Sequence, residues 1–375
     1  MPNNKFYDAV IIGAGIAGAS VAYFLTRKGM KDILILEKEE QPGYHATGRA
    51  AGVLVEFDPI PSMVDLKIKG GEFLRNPPQG FSEFPLLRKS GIIIMGQGAT
   101  WEVLKQMVPD LTARGVEIRL LAPAEVLAMV PAVSLEHIDG ALLFSADGHI
   151  DVHELLWGYL RQTKKAGAEL RCREEVRAIR SEHNRVSGVL TQRNEYSCRW
   201  VIDAAGAWGQ KIRSLAGSSP IQLTPLRRTI ITFDAPEGME VSKWPLVADQ
   251  THQFYFSPES GGLLTSPMDE DPMEPGDARP EELVVAQALE RLRQFTPKIL
   301  PKTLKRKWAG LRTFSSDQSM VIGQDPSLKG FFWLAGQGGA GIETSGVVGR
   351  LAADLIIDGR TDIMNMGRFS PERFT

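Results

Sequence analysis

The sequence is poor in the features that mark secreted, membrane-spanning or polyanion-binding chains. It has two cysteines in 375 residues, Cys172 and Cys198. They could pair, but so low a count suits a reducing compartment better than a disulfide scaffold, and a cytoplasmic location is expected. No run of about 18 apolar residues occurs, so no transmembrane segment is expected; peripheral association with a membrane is left open. No signal peptide is expected ahead of a first strand that starts at residue 7. Charge of neither sign dominates: 43 Lys+Arg stand against 45 Asp+Glu, a net −2. That gives no bulk attraction to nucleic acid, which is not expected as a partner. His149, His153, His183 and His252 show no metal-ligand spacing with the cysteines, so no metal is expected. Repeats and low-complexity tracts are absent. What is present, 43% hydrophobic and 23% charged residues, is ordinary for a globular protein long enough for two domains.

The most informative stretch is Tyr7 to Glu37. Tyr7 to Ile12 is a short, apolar, β-branched run, as a buried parallel strand should be. Gly13-Ala14-Gly15-Ile16-Ala17-Gly18 follows, then apolar residues at helical spacing up to Lys28, and Gly29 to end the helix. Ile33 to Leu36 reads as a second strand closed by Glu37. Gly13 permits the tight turn, Gly15 lets a pyrophosphate approach the backbone, and Gly18 lets the helix pack on the strand. The helix N-terminus offers free N–H groups to the phosphates, and Glu37 can accept from a ribose. A lone glycine fingerprint is weak; here the whole strand–turn–helix–strand–acid unit is in place.

Further on, Gly43 to Gly52 is a small-residue loop carrying His45, Thr47 and Arg49. Helices are expected over 62–76, 101–114 and 152–166, with a short one after Pro123. Strands are expected at Gly91–Gly96 and Ala141–Phe144, with a hairpin over 176–191. Trp200 to Asp203 is a strand running into the small turn Ala204-Ala205-Gly206-Ala207-Trp208. From 221 to 312 several segments alternate with a period of two, and one helix spans Pro280 to Phe295, with Asp277 as its cap or turn residue. The end returns to strand (330–335), glycine turn (Gly336-Gln337-Gly338-Gly339-Ala340-Gly341) and helix (342–357). The small-residue segments at 43–52, 204–209 and 336–341 exceed what one nicotinamide fingerprint needs. FAD explains them, because it is long and carries a flat ring to cover. The last helix N-terminus could face that ring and stabilise its anionic reduced form.

With these segments in hand, the chain resembles the FAD-dependent amine and amino-acid oxidoreductases, the superfamily of D-amino-acid oxidase, glycine oxidase and sarcosine oxidase. Within it the likeness is to the bacterial D-arginine/D-amino-acid dehydrogenase type. It rests on the first fingerprint, Gly43-Tyr44-His45 with Thr47-Gly48-Arg49, Gly80-Phe81 with Glu83, and Ala204 to Trp208. Arg227-Arg228, Phe254-Tyr255, Trp308 to Arg312, and Gln337-Gly338-Gly339 with Gly341-Ile342 complete it. The resemblance implies a non-covalent FAD held by Gly13, Gly15, Ile16, Ala17, Gly18, Glu37 and Lys38. It extends that role to His45, Ala46, Thr47, Arg49, Ala50, Ala51 and Gly52. Val176, Ala205, Gly206, Trp208 and Gly310 follow, and then Gly336, Gln337, Gly338, Gly339, Ala340, Gly341 and Ile342. Some members attach FAD through a histidine in the segment of His45.

The implied reaction takes a hydride from the carbon bearing an amine; the imine then hydrolyses to a 2-oxo acid and ammonia. The resemblance, together with guanidinium–carboxylate complementarity, makes Arg312 the carboxylate clamp. Tyr255 would bond the same carboxylate. Of Arg227 and Arg228, neighbours on a strand that face opposite sides, the resemblance favours Arg228. It gives Glu83 the task of meeting a cationic substrate side chain, and it puts Gln337 at the site. Val53 stands where the arginine-preferring type has an aromatic residue on a substrate-covering loop, which puts the substrate's identity in question. The expected substrate is a D-amino acid, with oxygen or a quinone as electron acceptor. Alternatives are a secondary-amine enzyme acting on sarcosine-, glycine- or proline-like substrates, a 2-hydroxy-acid dehydrogenase, and a silent flavoprotein subunit. The expected fold is α/β with α+β: a discontinuous Rossmann-like FAD-binding domain (1–80, 140–220, 315–375) and an antiparallel-sheet substrate domain (81–139, 221–314).

Overall fold

A computed structural model describes residues 5–375 of the chain. At its centre the strand Phe6–Ile12 runs parallel to Ile33–Leu36 on one side and Glu195–Asp203 on the other. Glu169–Arg171 extends the parallel set beyond Ile33–Leu36, and Phe331–Ala335 joins it beside the end of Glu195–Asp203. Ile33–Leu36 and Phe331–Ala335 are buried at every position, as strands covered on both faces must be. The hairpin Val176–Glu182/Arg185–Thr191 and the strand Val321–Gln324 attach antiparallel.

Helix Ile16–Arg27 packs against Gly341–Asp358, which in turn packs against Pro61–Arg75. These contacts are close because the helices carry glycines. A Cβ on Gly349 would lie 2.8 Å from the Ser20 carbonyl carbon, and one on Gly70 would lie 2.1 Å from the Glu343 carbonyl oxygen.

The second sheet has eight strands. Arg306–Ser315 pairs along its length with Leu223–Asp234, then come Gly262–Ser266, Phe254–Glu259 and Leu246–Asp249. Ile92–Gly96, Gly140–Phe144 and Ile118–Leu121 complete it. Only the junction of Leu246–Asp249 with Ile92–Gly96 is parallel. The hairpin between Phe254–Glu259 and Gly262–Ser266 turns on Ser260 and Gly261, both at positive φ, as a type I′ turn requires. A small third sheet joins Val53–Leu54, Gly148–Ile150 and Leu87–Arg88.

Three details differ from the expectations. Gly140–Phe144 belongs to the second sheet, so that part of the chain leaves the Rossmann-like unit. All five of its residues are buried, and a run without alternation carries no mark of which sheet takes it. The helix expected from Pro280 begins at Glu282, with Pro280 outside it. Asp277 caps nothing; its carboxylate instead accepts from Arg49. Cys172 and Cys198 are both free. Among the described residues no helix is long and apolar enough to cross a membrane, and no His/Cys/Asp/Glu group could hold a metal.

Gly70→Ala is expected to destabilise the protein by about 3 kcal/mol, because the methyl group meets backbone that cannot move aside. Thermal unfolding of the variant against Ser62→Ala, on the same helix, measures this.

Candidate active site

The carboxyl ends of the parallel strands converge on one cleft. Ile12-Gly13, Leu36-Glu37, Ala204-Ala205 and Ala335-Gly336 line it, each at the end of a different strand. Ligands of open α/β sheets bind at this edge. The cleft's lining runs from Glu37 and Lys38 at the parallel-sheet end to Arg228, Tyr255 and Arg312 on the second sheet, which suits an elongated ligand better than a small metabolite alone.

Two helices open onto it. Neither Ile16–Arg27 nor Gly341–Asp358 receives a hydrogen bond from its own N-cap side chain; apart from the Ile16 N–H, which Thr47 takes, their first-turn N–H groups are available to an anion. Gly13 has φ +105, and a Cβ there would lie 2.6 Å from the Ala204 carbonyl oxygen. The turn is therefore pressed against the neighbouring strand. A Cβ on Gly18 would lie 1.9 Å from the Gly13 oxygen, so Gly18 lies behind the cleft and not in its lining. Glu37 is buried, and its carboxylate accepts from the Ala14 and Glu39 N–H groups at 2.9 Å each. The Thr47 hydroxyl accepts from the Ile16 N–H at 3.0 Å, which ties the 43–52 loop to the fingerprint.

Around this end, the Lys38 ammonium lies 3.3 Å from the centroid of Trp208. His45 Nε2 is 2.7 Å from Glu39 Oε1, and its ring is 4.5 Å from Trp208. Burial lowers the His45 pKa, against the pull of the Glu39 hydrogen bond. Arg49 is held from both terminal nitrogens: its guanidinium donates to the Ala278 and Ala309 carbonyls and to Asp277. Every residue expected to hold the cofactor lines the cleft except Gly18 and Ala340. Ala340 is buried at the end of the last glycine turn, where its N–H donates to Gln337 O.

The other end is closed by the second sheet. Arg312, Tyr255, Arg228, Val53 and Gln337 all line the cleft. Arg312 has no hydrogen-bond or ion-pair partner among the described residues, and its guanidinium packs on the backbone of Gly339. The Tyr255 hydroxyl is buried with no partner. Arg228 donates to Asp269 O at 2.9 Å and to Glu270 at 2.7 Å. Burial, helped by the charge of Arg312, lowers its pKa to about 10. Arg227 faces the other way, toward Asp271 and Glu281.

Glu83 is a correction. It is exposed, its N–H donates to Glu154 at 2.8 Å, and it does not line the cleft. Its loop packs on helix Val152–Lys165 through Phe81, which sits against Tyr159, and this turns the segment away from the second sheet. Ile230, Thr313, Glu174, Glu175 and Lys211 line the cleft and were not anticipated. Ile230 was findable, because it follows Arg228 by two on one strand and so shares its face.

These features fit FAD. A Cβ on Gly206 would meet no protein atom within 4 Å, so that turn leaves room beside the cleft. The two helix N-termini, with first-turn N–H groups left over, suit an anionic pyrophosphate and the electron-rich edge of a reduced ring. When bound, the flavin supplies a two-electron acceptor of hydride.

Two outcomes are expected. Gly13→Ala strains the turn and pushes it into Ala204, so the purified variant should carry much less FAD per chain, read from its visible absorbance. Asp203, fully buried at the edge of the cleft, is pushed up to about 7 by burial, and one of its oxygens has no partner. Its folded pKa is raised, so its cost to stability is absent at pH 3.8 and below and grows as pH rises to about 7. Asp203→Asn should therefore raise Tm at pH 8 relative to wild type and do so less at pH 5. An equal loss at both would show that the ionised carboxylate is not the burden.

A family model described as FAD dependent oxidoreductase matches residues 8–355. FAD-dependent oxidoreductase domain-containing protein 1 of Bos taurus is 24% identical, over 98% of this chain and 84% of its own length. The crystal structure of L-proline dehydrogenase from P. horikoshii superposes with a TM-score of 0.88 at 22% identity, covering 100% of this chain and 98% of that one. Glycine oxidase from Bacillus cereus gives 0.80 at 25% identity, covering 95% and 96%. With the fingerprint, the two open helix ends and a family match across nearly its whole length, the chain belongs to the FAD-dependent oxidoreductase family of D-amino-acid-oxidase type, the amine and amino-acid oxidoreductases.

Proposed function

We propose that this enzyme dehydrogenates the carbon–nitrogen bond of a free amino acid with a neutral, apolar side chain, the D-enantiomer preferred. The imine product then hydrolyses in water to a 2-oxo acid and ammonia. One observation carries the reading: an unpartnered guanidinium, Arg312, and an orphaned buried hydroxyl, Tyr255, line the same cleft. Both are donors, and neither has an acceptor within the protein. A substrate carboxylate supplies one, taking the Arg312 fork on one side and the Tyr255 O–H on the other. Arg228 adds positive charge that Glu270 only partly offsets, since Glu270 is itself half-exposed.

The side-chain preference follows from what surrounds this end. Val53 and Ile230 make it apolar, and the acidic residues lining the cleft are Glu37, Glu174 and Glu175, all from the Rossmann-like unit. A cationic side chain would find no carboxylate there among the described residues, and burying it unpaired is costly. The preference for the D-enantiomer rests on the likeness of the Thr47-Gly48-Arg49 and Trp308–Arg312 segments to the D-amino-acid dehydrogenase type.

A second reading has its own support. Ala51, Gly52 and Val53 form a small-residue wall, which leaves room for an N-substituent or a ring as in sarcosine or proline. The fold similarity to L-proline dehydrogenase and glycine oxidase points the same way. Oxygen and a quinone both remain candidate acceptors.

Anaerobic addition of D-alanine, D-leucine or D-methionine should bleach the flavin band; D-arginine should not. Bleaching only by sarcosine or proline would transfer the assignment to the second reading. Admitting air then separates an oxidase from a dehydrogenase. Arg312→Met should lower kcat/KM about 10²- to 10³-fold, the cost of a lost buried charge pair, while FAD content stays at the wild-type level. Unchanged kcat/KM in that variant would sink the carboxylate assignment.

A further inference from the structure

Lys67 lies on helix Pro61–Arg75 with its side chain 7% exposed, and none of the chemistry above uses it. Its ammonium donates to the Phe57 carbonyl at 2.7 Å and pairs with Asp58 at 3.1 Å and Glu343 at 3.3 Å. Glu343 is also buried. It belongs to the first turn of helix Gly341–Asp358, and its other oxygen accepts from the Val55 N–H at 2.8 Å. One residue along, the Glu56 N–H donates to buried Asp147 at 2.8 Å, and Arg75 bridges Glu56 and Asp147 at 2.7 and 3.0 Å. Residues 55 to 58 are thus tied, one after another, to charged groups from three other parts of the chain.

That run continues directly from Val53–Leu54. Val53 lines the cleft and pairs with His149, and Leu54 is buried in the helix layer. The strap therefore carries one wall of the substrate end. Buried ion pairs are a poor source of stability, since desolvation consumes most of their attraction. Four charges spent on one short segment call for another reason, and the location of Val53 supplies it.

We infer that Lys67 and Glu343 are positioning residues: through the Val55 amide, the Phe57 carbonyl and Asp58 they hold the strap so that Val53 stays as a fixed wall against the substrate. This rests on the substrate reading above. On this account the wall is rigid in the absence of substrate, and its rigidity comes from Lys67 on helix Pro61–Arg75 and from Glu343 in the first turn of Gly341–Asp358, the helix whose N-terminus opens onto the cleft.

The test uses the FAD-loaded full chain. The Lys67→Met/Glu343→Gln double variant removes both buried charges at similar volume, leaving Asp58, at 19% side-chain exposure, to water. Lys67→Met alone strands Glu343 and is expected to fold poorly. The double variant should keep its FAD and melt within a few degrees of wild type. Amide hydrogen exchange over residues 53–58 should speed up at least about tenfold, with the strands of the parallel sheet unchanged. Benzoate, an apolar carboxylate probe followed by the change in flavin absorbance, should bind about tenfold more weakly. Unchanged exchange at 53–58 overturns the inference. So does faster exchange spread over the whole Rossmann-like unit with a lowered Tm, which is what a merely structural pair would give. So does faster exchange confined to the strap with benzoate bound as in wild type. If wild-type enzyme binds no benzoate, the carboxylate reading falls, and exchange at 53–58 alone decides the strap.

Discussion

Two helices whose N-termini are not closed by their own N-cap side chains open onto the same cleft, and the rest of the molecule is arranged around that convergence. A helix N-terminus without a cap leaves N–H groups to be satisfied from outside. Bringing two of them to one edge of a parallel sheet needs close packing behind them. Gly18 lets the first helix touch its own turn, Gly349 lets the first and last helices meet, and Gly70 admits the third. Larger residues at these points would spread the helices and misalign the ends. The packing glycines and the cofactor site are therefore one design.

The antiparallel sheet answers with charge. Arg228, Arg312 and Tyr255 come from three strands that are not all neighbours in the sheet, yet their side chains line one end of the cleft. Acidic partners on the 269–281 loop hold the surrounding arginines: Asp271 and Glu281 take Arg227, Glu270 takes Arg228, and Asp277 takes Arg49. Arg312 is left out of this pairing. An arginine that the fold surrounds with structure but does not pair is suited to a ligand, because no internal ion pair has to be broken on binding.

The third contribution comes from the strap at 53–58, a short segment with little regular structure held by buried charges. Cofactor end, anion end and wall are thus built from different physics: dipoles and close backbone approach, guanidinium charge, and tethered apolar surface.

How much of this was legible along the chain depended on the range of the interaction. The fingerprint Gly13 to Gly18, Glu37, the small-residue turns at 204–208 and 336–341, and the alternation through Arg228 and Tyr255 are local patterns set by backbone sterics and side-chain periodicity, and the structure brings these segments to one cleft, with Gly18 and Ala340 behind its lining. Arg312 and Gln337 were placed by likeness of short motifs and do line the cleft. The misreadings share one cause. Gly140–Phe144 is apolar throughout, so its choice of sheet is made by the edge available in three dimensions and not by its own pattern. Glu83 faces solvent because Phe81 packs on Tyr159, a contact 78 residues away along the chain. Asp277 pairs with Arg49 although nothing near either residue announces it. Nothing along the chain distinguishes Lys67 from other helical lysines, and only the arrival of Glu343 and Asp58 from other segments makes it a buried cation. The cofactor grammar was legible along the chain, because a strand, a tight turn and a helix N-terminus are encoded within a few residues. The tertiary structure alone decided which charges were left unpaired and which wall they face, because pairing depends on distances that only folding sets.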